Sequence, residues 1–157
     1  NGHPIGAVVT TNKIAESFNN GVEFFSSFGG NPISCAIGLS VLEVIEEEEL
    51  QKNAKIVGEY YMSLLKKLQE KHKCIGDVRG RGLFIGIEIV KNNTNSPNKT
   101  LANKIKNELR ENNILMGTDG PNGNVLKTKP PLCFNKINAK MVVRKMDEIL
   151  INNEKNQ

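Results

Sequence analysis

Few side chains in this sequence have the type and spacing to do chemistry, and most of those are cationic. Arg79 and Arg81 stand among Gly76, Gly80 and Gly82, just ahead of an Ile-rich run. Guanidinium groups held at glycine turns are well posed to grip an anion. A structural turn with surface arginines has the same appearance. Lys127 and Lys129 lie two apart on an extended stretch and so share a face. Like charges on one face repel unless an anion or solvent meets them; a pair of lysines guarding a sheet edge is the plainer alternative. The third candidate is Ser26-Ser27-Phe28-Gly29-Gly30-Asn31-Pro32. Paired glycines let the backbone turn sharply and approach another group closely. Asn31 suits an N-cap and Pro32 a first helical position. A hydroxyl at Ser27 beside a helix N-terminus is a ready anion site, although an ordinary loop-to-helix junction reads alike. Gly80-Arg81-Gly82 with Gly86 imitates a dinucleotide loop, but it precedes a strand instead of opening a helix.

Other chemistries are excluded. No Ser-His-Asp set, paired-carboxylate site or metal cluster can be assembled. His3 and His72 are the only histidines. His72 sits in a polar run and reads as a surface residue. Cys35, Cys74 and Cys133 form no C-x-x-C pair, so neither zinc nor a disulfide framework is implied. Reduced, mostly buried thiols of an intracellular protein are expected. The net charge is +4 and the pI about 9.0. The lysines alternate with carboxylates without forming a basic block, which reads as a solvated surface and not a nucleic-acid site. No apolar run reaches the length of a membrane span. The chain opens on Asn1-Gly2-His3-Pro4, turn chemistry and not a natural terminus. It is therefore read as part of a longer protein, and a missing targeting signal says nothing about location.

These residues must be positioned by the elements around them. Ile5 to Thr10 predicts a short buried strand. Thr11 or Asn12 caps a brief helix through Phe18, which Asn19-Asn20-Gly21 ends. From Pro32 the apolar positions Ile33, Cys35, Ala36, Ile37, Leu39, Val41, Leu42, Val44 and Ile45 cover more than one face, so this helix is expected to be buried on several sides. Glu46 to Glu49 marks a break before a second helix, from about Leu50 to Lys71, with a stripe at Ala54, Val57, Tyr61, Leu64, Leu65 and Leu68. Cys74 to Gly82 is punctuated by glycine, and Leu83 to Val90 reads as a strand. A helix from Thr100 to Asn112 follows. Ile114-Leu115-Met116 reads as a short strand, Gly117 to Gly123 as a loop, and Val125 to Lys129 as another strand that Pro130-Pro131 closes. Asn138 is placed to cap a last helix with the stripe Met141, Val142, Met146, Ile149 and Leu150, and a polar tail begins at Asn152. Helices over one face of a small, largely antiparallel sheet follow from this order. Residues 1–49 hold one strand and one buried helix, too little for a core, and so are expected to belong to a larger sheet domain. Residues 50–157 form the small α+β domain.

Taken in order, Asn1-Gly2-His3-Pro4, Phe28-Gly29-Gly30-Asn31-Pro32, Asp77-Val78-Arg79-Gly80 with Gly82-Leu83 and Gly86-Ile87-Glu88, and Lys129-Pro130-Pro131-Leu132 resemble the C-terminal part of a class-III pyridoxal-phosphate-dependent aminotransferase. The likeness spans essentially the whole chain. Within that family Asp119-Gly120-Pro121, Asn124 to Lys127 and Lys129-Pro130-Pro131 resemble the phospho-lyase branch, enzymes named alanine–glyoxylate aminotransferase 2-like that act on ethanolamine phosphate or 5-phosphohydroxy-L-lysine.

The resemblance implies an α/β fold of type I for pyridoxal-phosphate enzymes: the end of the large-domain sheet followed by the small domain. It implies pyridoxal 5'-phosphate as cofactor and a homodimer with a shared site. Ser27, with Phe28 and Gly29, would reach the cofactor phosphate of the partner subunit. Most members have Thr at that position; Ser keeps the hydroxyl but not the stiffness of a β-branched side chain. Three residues before the Pro-Pro pair the aminotransferases carry an arginine for the substrate carboxylate, and here that position is Lys127. Lys127 and Arg79 are accordingly the candidate holders of a substrate anion. The Schiff-base lysine falls just before Asn1, so no catalytic residue is expected within the chain, which alone would be inactive. A mitochondrial or cytoplasmic location is expected. An ω-amino-acid aminotransferase and a non-catalytic truncated product are the alternatives.

Overall fold

The computed structural model describes residues 2–155, the side chain of Lys155 aside. The chain divides between Glu48 and Glu49 into two compact units.

In the first unit, α1 spans Asn12–Phe18 and α2 spans Pro32–Glu47. Pro32 occupies the first helical position of α2, and the Asn31 side chain accepts a hydrogen bond from the Ser34 N–H at 2.9 Å. That bond satisfies one of the orphan donors at a helix start. Two expectations fail here. Ile5 to Thr10 forms no strand, and Val8 and Val9 are 91% and 97% exposed. No residue of α2 is buried, and Ile33, Leu39 and Leu42 are all well exposed. A strand needs a neighbour to complete its hydrogen bonds, and an apolar helix face needs something to cover it. Local sequence supplies neither.

The second unit starts with α3, Leu50–Lys71, after Glu49 in the left-handed region at φ 49°. Val57, Tyr61, Leu65 and Leu68 are buried on the stripe expected. Then come β1 (Ile75–Arg81), β2 (Phe84–Ile89), α4 (Lys99–Glu111), β3 (Gly117–Asp119), β4 (Val125–Thr128) and α5 (Lys136–Lys155). The four strands pair antiparallel throughout in the order β1-β2-β4-β3. α3 lies along β1, α4 lies over the remaining strands, and α5 packs on both helices. Ile85, Ile87, Ile89 and Leu126 point into this layer and are fully buried, with Ile105, Leu109 and Met146 from the helices.

Several details depart from the sequence reading. The glycine-punctuated stretch is strand β1. Gly76 and Gly80 sit where a Cβ would come within 2.8 Å of the Val90 side chain and 2.2 Å of the Phe84 carbonyl, so glycine is what allows this pairing. Ile114-Leu115-Met116 is not a strand. Asn113 is left-handed at φ 61°, its N–H bonds to the Arg110 carbonyl, and the Ile114 N–H reaches back to Leu109. That is a helix-terminating Schellman arrangement, and it uses Ile114 to close α4. The strand begins only at Gly117. Asn135 accepts from the N–H groups of Ile137 and Asn138 at the start of α5, while the Asn138 side chain bonds back to the Asn135 N–H. The capping residue is thus Asn135, with Asn138 reciprocating. α5 runs to Lys155 in place of the expected tail, because Asn153 is buried and its amide donates to the Ile149 carbonyl. Of the cysteines only Cys74 is buried.

Candidate functional site

The glycine turn of the first unit is built by Ser26. Its Oγ accepts from the Gly29 N–H at 3.1 Å. A Cβ on Gly29 would lie 2.9 Å from the Ser26 side chain, and Gly30 has φ +69°, so both glycines are required for the turn. Asn31 ties the turn to α2 by donating to the Phe28 carbonyl and the Ser34 Oγ. His3 reaches the same Ser34 Oγ at 2.7 Å. The two motifs Asn1 to Pro4 and Phe28 to Pro32 are therefore joined by one small network, which their separation in sequence hides. Asn1 itself lies outside the described residues. Ser27 makes no hydrogen bond among the described residues and is exposed, as is Phe28. A free hydroxyl on a rigid glycine turn is the donor chemistry that a phosphate dianion takes.

In the second unit the register brings the substrate-anion candidates onto one face of the sheet. Arg79 pairs with Gly86, Gly86 with Lys127, and Lys127 with Gly117. Paired residues point the same way, so Arg79 and Lys127 stand on the face opposite the core. They lie about 10 Å apart, two strand spacings, with Gly86 as a bare floor between them. β4 lies between β2 and β3, so Lys127 is not a sheet-edge guard, and Lys129 has already left the strand.

The two cations are occupied differently. Arg79 Nη1 donates to Glu88 at 2.6 Å and Asp77 at 3.0 Å. Glu88 and then Asp77 raise the guanidinium further above its usual range. Burial pushes the Asp77 carboxyl up, but Arg79 and Lys66 outweigh it and leave it low. With Lys66 beside Asp77, two cations and two carboxylates cancel in this corner. Lys127 meets the single carboxylate of Asp119. A hydrogen bond from Lys127, with help from the Gly120 N–H, holds Asp119 below the usual carboxylate range, and Lys129 adds to this. Here two cations face one carboxylate.

Arg81 has a different setting. It lines a cavity of about 930 Å³ with Lys55 and Glu59 of α3, Phe84 and Lys129. The Lys129 ammonium stands 5.6 Å from the Phe84 ring centroid. The backbones of α3 and of the β1–β2 turn approach closely there. A Cβ on Gly58 would lie 2.2 Å from the Gly82 carbonyl oxygen. The part played by α3 in this lining had no signal in the sequence beyond a glycine within a helix.

His72 is not at the surface. It is 1% exposed. Its Nε2 faces Asp147 at 2.6 Å and its Nδ1 faces Glu154 at 2.8 Å. Both ring nitrogens are thus engaged by carboxylates of α5. Burial pushes the Asp147 carboxyl up, but His72 and Lys71 outweigh it and hold it low. The Cys74 thiol nearby is pushed up to about 11, by burial first and then by Glu154. The seven-residue spacing of Asp147 and Glu154, two turns on one helix face, was the only hint in the sequence. Among the described residues there is no group of three or more side chains fit to hold a metal, and no helix long and apolar enough to cross a membrane.

The chain is similar to known proteins over most of its length. The family described as aminotransferase class-III matches residues 1–150. An alanine–glyoxylate aminotransferase 2-like protein of Drosophila melanogaster is 49% identical over 142 residues, 88% of this chain and 29% of its own length. An ethanolamine-phosphate phospho-lyase homolog of Caenorhabditis elegans is 44% identical over 152 residues, 96% of this chain and 32% of its own. The solved structure of a phospholyase from Arthrobacter in complex with phosphoethanolamine superposes with a TM-score of 0.89 at 38% identity, covering 96% of this chain and 36% of that one. The chain thus spans about a third of the length of the proteins it matches.

Proposed function

We infer the function of this chain from one premise: it belongs to the aminotransferase class-III family. The cofactor of that family is pyridoxal 5'-phosphate. The reading we propose is the C-terminal part of a phospho-lyase, which eliminates phosphate and ammonia from a phosphorylated amine such as ethanolamine phosphate or phosphohydroxylysine. One observation carries it. Lys127 stands three residues before Pro130, where the family resemblance implies a carboxylate-binding arginine in the aminotransferases. An ammonium is a compact point charge without the planar fork that matches a carboxylate. It suits a phosphate, which presents oxygens in several directions. The phospho-lyase neighbours in sequence and structure support the same branch.

Each group is assigned a limited task. The cofactor, when bound, draws electrons away from the amine-bearing carbon so that its bonds break readily. Ser27 would donate its hydroxyl to the cofactor phosphate of a partner subunit, with the Gly29 turn holding it there and Phe28 beside it. Its free, exposed hydroxyl supports that use. Lys127 would hold the substrate phosphate. Arg79, already met by two carboxylates, is the weaker candidate and would shape the field beside it. A homodimer with a shared site follows from the assignment of Ser27. The chain taken alone is proposed to be inactive, since the attachment lysine is not assigned to any of its residues.

The test is release of inorganic phosphate from ethanolamine phosphate and from phosphohydroxylysine by the polypeptide that carries this chain. Phosphate release in step with ammonia is expected. Transfer of the amino group to a keto acid without phosphate release would replace the lyase reading with that of an aminotransferase.

A further inference from the structure

We propose that Asp119 is a positioning residue, which holds the Lys127 ammonium over the glycine floor of the sheet and so sets the affinity for the substrate phosphate. The inference rests on the phospho-lyase reading. Lys127 has no side chain beside it in its row, because its partners across the ladder are Gly86 and Gly117. A four-carbon stem with nothing on either side is free to sweep, and freezing it costs rotamer entropy. Asp119 is what restrains it, by direct contact with the ammonium.

Asp119 can do this because it is itself fixed. One carboxylate oxygen accepts from the Gly120 N–H at 2.8 Å, and the other meets Lys127. Gly120 and Gly123, both at positive φ, shape the turn that follows. Asn124 is buried and anchors the return strand by donating to the Ile89 carbonyl. The chain of restraint runs from the turn backbone to Asp119, and from Asp119 to Lys127. An ammonium has three N–H donors, so bonding to Asp119 leaves donors for a phosphate. With Lys129 nearby, this corner still has one more cation than carboxylates, whereas the Arg79 corner has none to spare.

The experiment is Asp119→Asn in the polypeptide that carries this chain, with Asp119→Glu and Lys127→Met alongside. For phosphate release from ethanolamine phosphate, Asp119→Asn is expected to raise KM about fivefold, on the scale of a partly exposed ion pair, with kcat nearly unchanged. Asp119→Glu should recover part of the loss, and Lys127→Met should raise KM further. An unchanged or lower KM in Asp119→Asn would overturn the assignment. If the unmodified protein releases no phosphate from any phosphorylated amine, the functional reading fails and Asp119 is judged by binding alone. The Lys127 ε-carbon signal is then followed by NMR as inorganic phosphate is added. A weaker response in Asp119→Asn than in the unmodified protein supports the inference. An equal or stronger one, or no response in either, rejects it.

Discussion

In the unit that begins at Glu49, Tyr61, Leu65, Ile85, Ile87, Ile105 and Leu126 have no exposed surface at all. In the unit that ends at Glu48, Phe25, Phe28, Val8 and Val9 are 82 to 97% exposed, and none of its described residues is buried. Both sequences are rich in apolar residues. The later unit owns a sheet and three helices whose stripes face one another. The earlier unit has helices but no second layer. Its α2 forms because Asn31, Pro32 and a run of helix-compatible residues suffice locally. A core requires two layers.

The largest break in the comparison should come from matched truncations. Leu65→Ala removes a fully buried side chain and is expected to cost about 3 kcal/mol. Leu42→Ala in α2 should change stability by less than about 0.5 kcal/mol. Urea denaturation followed by circular dichroism reads both; equal losses would mean that α2 is packed in solution. Gly58→Ala is next. Helix propensity alone favours Ala by about 1 kcal/mol, but the added Cβ would meet the Gly82 backbone at 2.2 Å. Overpacking against backbone is expected to win, for a net loss of about 2 kcal/mol. A stabilised variant would show that α3 and the β1–β2 turn can part freely.

His72→Gln should cost about 1 to 2 kcal/mol, the scale for buried partners left unmatched. It should also alter the acid limb. Asp147 is held below its ordinary range in the folded state, so its contribution is complete above the ordinary value and is lost as pH falls through the lowered one. The urea midpoint of the unmodified chain should drop as the pH falls below the ordinary aspartate range, about pH 4, and the variant should drop less on that limb. The smallest effect is reserved for Tyr61. Its hydroxyl lies beside Thr128 but makes no hydrogen bond of good geometry, and burial raises its pKa strongly. Tyr61→Phe should therefore change the unfolding free energy by less than about 0.5 kcal/mol and in the stabilising direction. A loss of 1 kcal/mol or more would mean that the hydroxyl is satisfied after all.

What the amino-acid order determined by itself was local. α3 was legible to the residue, because one apolar stripe between a glutamate break and a polar stop has a single reading. β2, the turn at Gly29-Gly30 and the cap at Asn31 were legible for the same reason: each signal lies within a few residues of the feature it specifies. The ordered motifs also pointed to the family. Tertiary structure alone decided the rest. β1 is a strand because β2 pairs with it, and its glycines, which argue for a loop when read locally, are what let the partner backbone approach. His72 became buried through carboxylates 75 and 82 residues away. Arg79 and Lys127 share a face only through Gly86 on the strand between them. Lys127 obtained its counter-ion from Asp119 when a hairpin folded eight residues back on themselves. Periodicity and capping act over a turn or two of chain. Burial, charge pairing and the composition of a site depend on which distant segments meet.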